Sequence, residues 1–371
     1  MNSKSLLFVI GLLCLFSFAA FTQIPDLNRF NLGSPLKIPR PSPAASVSRV
    51  IGITDITIEY SSPAVRGREI WGGVVPYGTA PGARLGNGKP YPWRAGANEN
   101  TTVSFSTDVT IEGQKLAAGK YGFHIIPVET GKWTLIFTRV NNTWGSFTYE
   151  KNEDALRVQV SPQSVDLRER LTYNIDLEGQ DAAIVSLYWE KIKVPFKVQV
   201  DVHETVLTQL RKDLRDEYGF VWQNYYQAAN YCARNNLNHE EALAWADKSI
   251  FRDENFMNLE AKAALLQQMG RTAEAEATMD RAITLATDVQ LARHGNRLMG
   301  QEKYTEAMEI YQLNLKRHPD SWNTHFRLAN CYIKLGKTKK AKKHYNMALQ
   351  KLPSNDEFNK TRIAKALQDL S

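Results

Sequence analysis

The feature that most constrains this chain is a repeat. Ala242, Ala275, Ala307 and Ala341 stand 33, 32 and 34 residues apart, each within an amphipathic stretch of helical period. A period near 34 residues is that of stacked helix–turn–helix units. One such unit cannot bury its own apolar face, so neighbours must stack into a solenoid. Solenoids present long surfaces to other molecules, so the C-terminal part of the chain reads as a scaffold.

The 371 residues leave room for a second domain. The N-terminus reads as a signal peptide over residues 1–22. Lys4 supplies the positive start, Leu6 to Ala20 the apolar run, and Ala20-Phe21-Thr22 before Gln23 the cleavage site. The run is too short to span a bilayer, which needs about 18–20 residues. Cys14 follows the bulky Leu13, which argues against lipidation there. The mature protein is therefore expected in the periplasm or at the cell surface, without a transmembrane segment.

Residues 23–45 carry Pro25, Pro35, Pro39, Pro41 and Pro43 and read as an extended linker. Residues 46–201 read as strands. Ile56, Ile58 and Tyr60 alternate with Thr57 and Glu59, followed by Val103 to Val109, Gly122 to Ile126, Trp133 to Val140, Phe147 to Tyr149 and Leu156 to Val160. Leu171 to Leu177, Ile184 to Trp189 and Phe196 to Val200 complete about nine strands at short spacing, which predicts an antiparallel β-sandwich or barrel. Residues 202–217 read as a connecting helix with Val206, Leu210 and Leu214 on one face. The repeats then occupy 218–353 and a capping helix 354–371, opened by a capping box of Ser354 and Glu357. The fold class is α+β with two domains, a β-sandwich (or barrel) followed by a helical solenoid.

Two cysteines remain after the leader. Cys232 and Cys331 sit three repeats apart, far beyond the ~7 Å Cα limit of a disulfide, so both are expected as buried free thiols. The formal charge of +7 is uneven. Between Ser321 and Asn355 there is no Asp or Glu, while Arg327, Lys334, Lys337, Lys339, Lys340, Lys342, Lys343 and Lys351 are all present. Such a run is either a solvated helix face or a patch for an acidic protein or envelope polymer. Nucleic acid is not expected as a partner of an exported chain.

The C-terminal half resembles tetratricopeptide repeats. The last unit carries Leu328, Ala329, Tyr332, Gly336, Ala341, Tyr345, Ala348 and Pro353 at the family's positions. The third keeps Gly295, Ala307, Tyr311 and Pro319, and the second Ala263, Gly270, Ala275 and Ala282. The first departs, with Asn230 where a small residue belongs. This resemblance implies a protein partner bound through the repeats. The segment from about Pro39 to Val200 is similar to the family known as domain of unknown function 2911. The similarity rests on Tyr60-Ser61-Ser62-Pro63, Arg66-Gly67-Arg68, Ile70-Trp71-Gly72, Val75-Pro76-Tyr77-Gly78, Trp93 to Glu99 and Ala118 to Tyr121. It implies an exported bacterial protein and lends no mechanism. Thr79 to Pro92 is a Gly/Pro-rich insertion relative to that family.

Candidate chemistry gathers in one polar cluster: Arg66, Arg68, Trp93, Arg94, Asn98 and Glu99, with His124 on a later strand. Aromatics beside Arg, Asn and Glu are the materials of an anionic or carbohydrate ligand site. The same residues equally serve to tie long loops to a sandwich, because buried polar groups need partners in any case. Glu99 and His124 are candidates for general acid–base work on envelope glycans, while a satisfied strand histidine explains His124 as simply. No metal-ligand spacing is present, and no cofactor motif. In the solenoid, Phe326, Asn330 and Lys334 fall on one helical stripe expected to avoid the packing positions. Lys339 and Lys340 join them as candidates for partner contact. The reading that follows is an exported binding scaffold rather than an enzyme. A glycan hydrolase or lyase and a structural assembly protein are the alternatives.

Overall fold

The computed structural model describes residues 39–82 and 88–370. The expected signal peptide, Cys14 and most of the proline-rich linker lie outside them. The chain divides into two compact units between Thr208 and Gln209.

The first unit holds ten antiparallel strands among the described residues. They are β1 (Ala44–Ile51), β2 (Thr54–Ser61), β3 (Thr102–Phe105), β4 (Val109–Ile111), β5 (Gln114–Leu116), β6 (Gly119–Ile126), β7 (Trp133–Thr138), β8 (Asp154–Val160), β9 (Gln163–Glu178) and β10 (Ala182–Gln199). One sheet has the order β1-β2-β3-β6-β7-β8, the other β5-β4-β10-β9. The alternation read from the sequence places Ile56, Ile58, Phe123, Ile125, Leu135 and Phe137 inward against Leu187, Trp189, Phe196 and Val198. This is the sandwich.

Two strand expectations need correction. Phe147 to Tyr149 form no strand. They lie in turns before a 3-10 turn at Lys151–Glu153, and Phe147 packs edge-on against Tyr91 at 5.2 Å. The three short strands expected at the end of the domain are two long ones, β9 and β10. Pro195 has no N–H for a ladder, yet it interrupts nothing: β10 pairs with β9 up to Lys193 and with β4 from Val198, and the proline falls between.

The second unit is a run of helices. After α1 (Val202–Asp213), whose last residues it includes, come α2 (Trp222–Asn235), α3 (His239–Arg252), α4 (Phe256–Gln268), α5 (Thr272–Leu285), α6 (Asp288–Gly300), α7 (Tyr304–Arg317), α8 (Trp322–Lys334), α9 (Thr338–Lys351) and α10 (Glu357–Gln368). The pairs α2/α3, α4/α5, α6/α7 and α8/α9 are the repeats. The periodic alanines all fall on second helices and are buried, which lets each pair close. Gly295 shows why: a Cβ there would run into the Tyr311 ring of the partner helix. The helix starts follow capping chemistry, with capping boxes at Asn255 and Thr287. At α10 the cap is Asp356, which accepts from Asn359 N, and not Ser354. Cys232 and Cys331 are buried and unpaired.

Candidate functional site

The polar cluster is built on a loop whose backbone is held under strain. Trp93 enters it by exchanging two hydrogen bonds with Ile125 of β6, at 3.0 and 2.8 Å. Ala95 and Asn98 then adopt left-handed φ angles of 51° and 59°, and Arg66 on the facing loop does the same at 51°. Each such residue costs about 1 kcal/mol and persists only where its surroundings enforce it. Here they do. The Ala95 carbonyl accepts from Tyr173 Oη at 2.7 Å and from Thr101 Oγ1 at 3.2 Å. The Arg66 N–H is held by the Glu169 carboxylate at 2.9 Å.

The side chains divide into separate jobs. Arg68 closes its own turn, donating to the carbonyls of Val65 at 3.0 Å and Ala64 at 2.6 Å. The Arg66 side chain is exposed. Trp93 lays one ring face on Trp189 at 5.8 Å and meets the edge of Trp71 at 5.5 Å, so that face is closed to a sugar. Asn98 Nδ2 donates to the Ser42 carbonyl at 3.1 Å, and Glu99 pairs with Arg40 at 2.6 Å. Arg94 donates to the Asn98 carbonyl at 2.6 Å and lies 4.6 Å over the Phe147 ring. No described carboxylate pairs with it, and burial lowers its pKa. Gly145 makes room for this guanidinium with a φ of 68°, since a Cβ there would run into Arg94 Cζ. Gly145→Ala is expected to cost about 2 kcal/mol from the left-handed backbone and the displaced arginine, a drop of several degrees in a thermal melt.

His124 is not at the disposal of a ligand. It is 2 % exposed, its Nδ1 lies 2.7 Å from Ser146 Oγ and its Nε2 3.2 Å from Thr138 Oγ1. Thr138 Oγ1 lies 2.7 Å from the Val140 carbonyl and gives its proton there, so it accepts from Nε2–H and Ser146 donates to Nδ1. Burial, aided by the charge of Arg94, pushes the imidazole pKa down to about 3. No contact joins His124 to Glu99 among the described residues. The acid–base pairing weighed from the sequence thus lacks its geometry.

In the helical unit the expected stripe splits. Phe326 is 6 % exposed, packs on Tyr345 at 5.7 Å and is covered by Arg362 at 4.3 Å. It is a core residue, because position 326 falls at the border where α8 turns from its open face into its neighbours. Asn330 accepts from Tyr345 Oη at 2.5 Å, and Lys334 is exposed. Lys339 and Lys340 are exposed on α9, with Lys340 Nζ 5.6 Å over the Tyr332 ring.

Sequence reasoning missed a pocket of about 210 Å³ between the first helices α6 and α8, lined by Arg293, Asn296, Asn323 and Arg327 together with Asp288. Arg327 Nη1 donates to Asn296 Oδ1 at 2.5 Å, which also accepts from Tyr311 Oη at 2.7 Å. Arg327 Nε is buried with no acceptor. Arg297, by contrast, is tied to Glu260 at 2.5 Å. The signal was available: Arg293 and Arg327 lie 34 residues apart, one position seen in two successive repeats. Among the described residues no group of three or more His, Cys, Asp or Glu is arranged to hold a metal ion. No described helix is long and apolar enough to cross a membrane.

Residues 42–198 match the family described as protein of unknown function DUF2911, and residues 298–363 match a tetratricopeptide repeat family. The β-unit is a DUF2911 domain. The helical unit that follows is of the tetratricopeptide type. No curated protein matches the sequence. Among solved structures, MamA from Desulfovibrio magneticus RS-1 is 16 % identical, with 40 % of this chain and 90 % of that one covered and a TM-score of 0.27. YrrB, a TPR protein with an unusual peptide-binding site, is 17 % identical over 40 % of this chain and 77 % of its own, with a TM-score of 0.26. PilF of Pseudomonas aeruginosa is 18 % identical over 40 % and 67 %, with a TM-score of 0.28. The match to the DUF2911 domain begins at Ser42, whose carbonyl Asn98 holds, and takes in the whole polar cluster. The matched repeats include Arg327 and Asn323 but not Arg293 and Asn296.

Proposed function

We propose that the protein is an exported scaffold whose repeats hold a partner by an acidic segment, seated in the pocket between α6 and α8. The observation that carries this reading is the pair Arg293 and Arg327, which line the pocket with no described carboxylate paired to either. A carboxylate entering the pocket gains a charge-assisted bond to a guanidinium and relieves the repulsion between the two arginines. Asp288 at the rim limits how much negative charge the pocket accepts. The exposed Lys339 and Lys340 lie on α9, a second helix, and raise the attraction for an acidic partner at longer range.

The apolar run after Lys4 supports export, and fractionation of cells producing the full chain tests it. The pocket is tested with a fluorescent peptide ending in acidic residues, its binding followed by anisotropy. Arg327→Ala is expected to weaken binding by about 10- to 100-fold, the worth of a charge-assisted bond, and the double variant with Arg293→Ala further. Unchanged affinity in the double variant removes the pocket from the reading. An amidated peptide tells a terminal carboxylate from a side-chain one.

A further inference from the structure

Two residues of the polar cluster marked in the sequence for an anion or a sugar, Asn98 and Glu99, hold a segment of the chain itself. Residues 40–43 lead into β1, with a bend at Pro41 and Ser42. The Pro43 carbonyl accepts from Ser62 N at 2.8 Å, one step beyond the Ala44–Ser61 pair that ends the β1–β2 ladder. The Ser42 carbonyl takes Asn98 Nδ2 at 3.1 Å. The Pro41 carbonyl takes Arg170 Nη1 at 3.4 Å, a guanidinium shared with the Ser62 carbonyl at 3.3 Å. Arg40 closes the series on Glu99 at 2.6 Å, and Ser61 Oγ lies 3.5 Å from the other carboxylate oxygen.

Three consecutive carbonyls and one cation are therefore read by groups on the body of the domain. Pro41 and Pro43 have no N–H, so the segment yields its carbonyls without stranding donors at those two positions. Asn98 accepts a left-handed backbone in a loop that delivers its amide to this segment. An anion would meet the carboxylate of Glu99 here, whereas a basic residue is matched by it.

We propose that the surface of the DUF2911 domain formed by Ser62, Asn98, Glu99 and Arg170 is a binding site for a proline-rich, basic peptide. The chain's own residues 40–43 occupy it in cis, and a partner segment of the same chemistry enters when they are displaced. The cis segment is replaceable where its ion pair to Glu99 is weak. The Arg40 and Glu99 side chains are 35 % and 41 % exposed, and an ion pair so exposed contributes only about 0–1 kcal/mol. What favours the cis segment is its tether, which sets an effective concentration on the order of millimolar.

The test uses the full chain and a fluorescein-labelled peptide copying residues 36–44. Arg40→Glu sets two carboxylates against each other and loosens the cis segment, with Arg40→Ala as a milder second variant. Both are expected to bind the peptide about 10-fold or more tighter than the unaltered chain, since the tethered competitor is removed. Adding Glu99→Gln or Asn98→Ala to either variant is expected to lose that gain, and a peptide with Glu in place of its arginine should not bind. Circular dichroism confirms that each variant is folded. No peptide binding to folded Arg40→Glu and Arg40→Ala chains overturns the proposal. So does equal binding after Glu99→Gln, or a preference for the acidic peptide.

Discussion

Trp189→Ala is expected to lower the stability of the β-domain by about 3–5 kcal/mol, whereas Trp189→Phe should change it by only about 1 kcal/mol. Trp189 is 1 % exposed and anchors a cluster of indoles, with Trp93 stacked on it at 5.8 Å and Trp71 edge-on at 5.8 Å. Alanine removes the whole ring and leaves a cavity that two sheets cannot close over. Phenylalanine keeps most of the contact area and deletes an indole N–H that is buried with no acceptor. Losing an unsatisfied donor recovers about 1–3 kcal/mol of desolvation, which offsets the smaller ring. Urea unfolding followed by far-ultraviolet circular dichroism measures both variants, because changes among the tryptophans compromise fluorescence. With two compact units the curve is fitted to two transitions, and only the β-domain's should move. A phenylalanine variant as damaged as the alanine one would mean that the N–H is satisfied and the large ring indispensable.

What the sequence disclosed was what periodicity carries. Ala242, Ala275, Ala307 and Ala341 recur because each pair of helices needs a small residue at its closest approach. Ile56, Ile58 and Tyr60 alternate because one face of β2 is buried. Phe147 to Tyr149 misled because apolar residues also occur in loops that cover a sheet, where they pack on Tyr91 and Arg94 with no ladder. The lengths of β9 and β10 were hidden by exposed stretches: Leu167, at 57 % exposure, breaks the expected alternation. The polar cluster was visible as composition, but its partners were not. The Arg40–Glu99 pair spans 59 residues and the Arg170–Pro41 bond 129, and no local pattern encodes such distances. Arg293 and Arg327 had a periodic signal, yet arginines on a first helix read as a solvated face until a pocket is seen between them.

Acid should weaken the β-domain before its carboxylates titrate, and His124 is the reason. Its folded pKa of about 3 lies well below the ordinary value of 6.5, from burial first and the Arg94 charge second. For a depressed histidine, stability is fully present above pH 6.5 and is lost as pH falls from there toward 3, because the unfolded chain takes up a proton that the folded one refuses. The loss is about 1.4 kcal/mol per pH unit, so roughly 2 kcal/mol disappears between pH 6.5 and 5, where ordinary carboxylates stay ionised. His124→Gln is neutral at every pH. It should cost about 1–3 kcal/mol at pH 7 through imperfect bonds to Ser146 and Thr138, and then show a flatter profile across that window. Urea midpoints of the β-domain transition at pH 7, 6 and 5 decide it. Parallel profiles for the two proteins would mean that His124 carries a proton in the folded state and is open to solvent. That outcome would also revive the acid–base reading, since a general base must titrate near its working pH. Diverging profiles leave His124 as a neutral strut near Arg94, and leave the chemistry of this domain to the surface that holds residues 40–43.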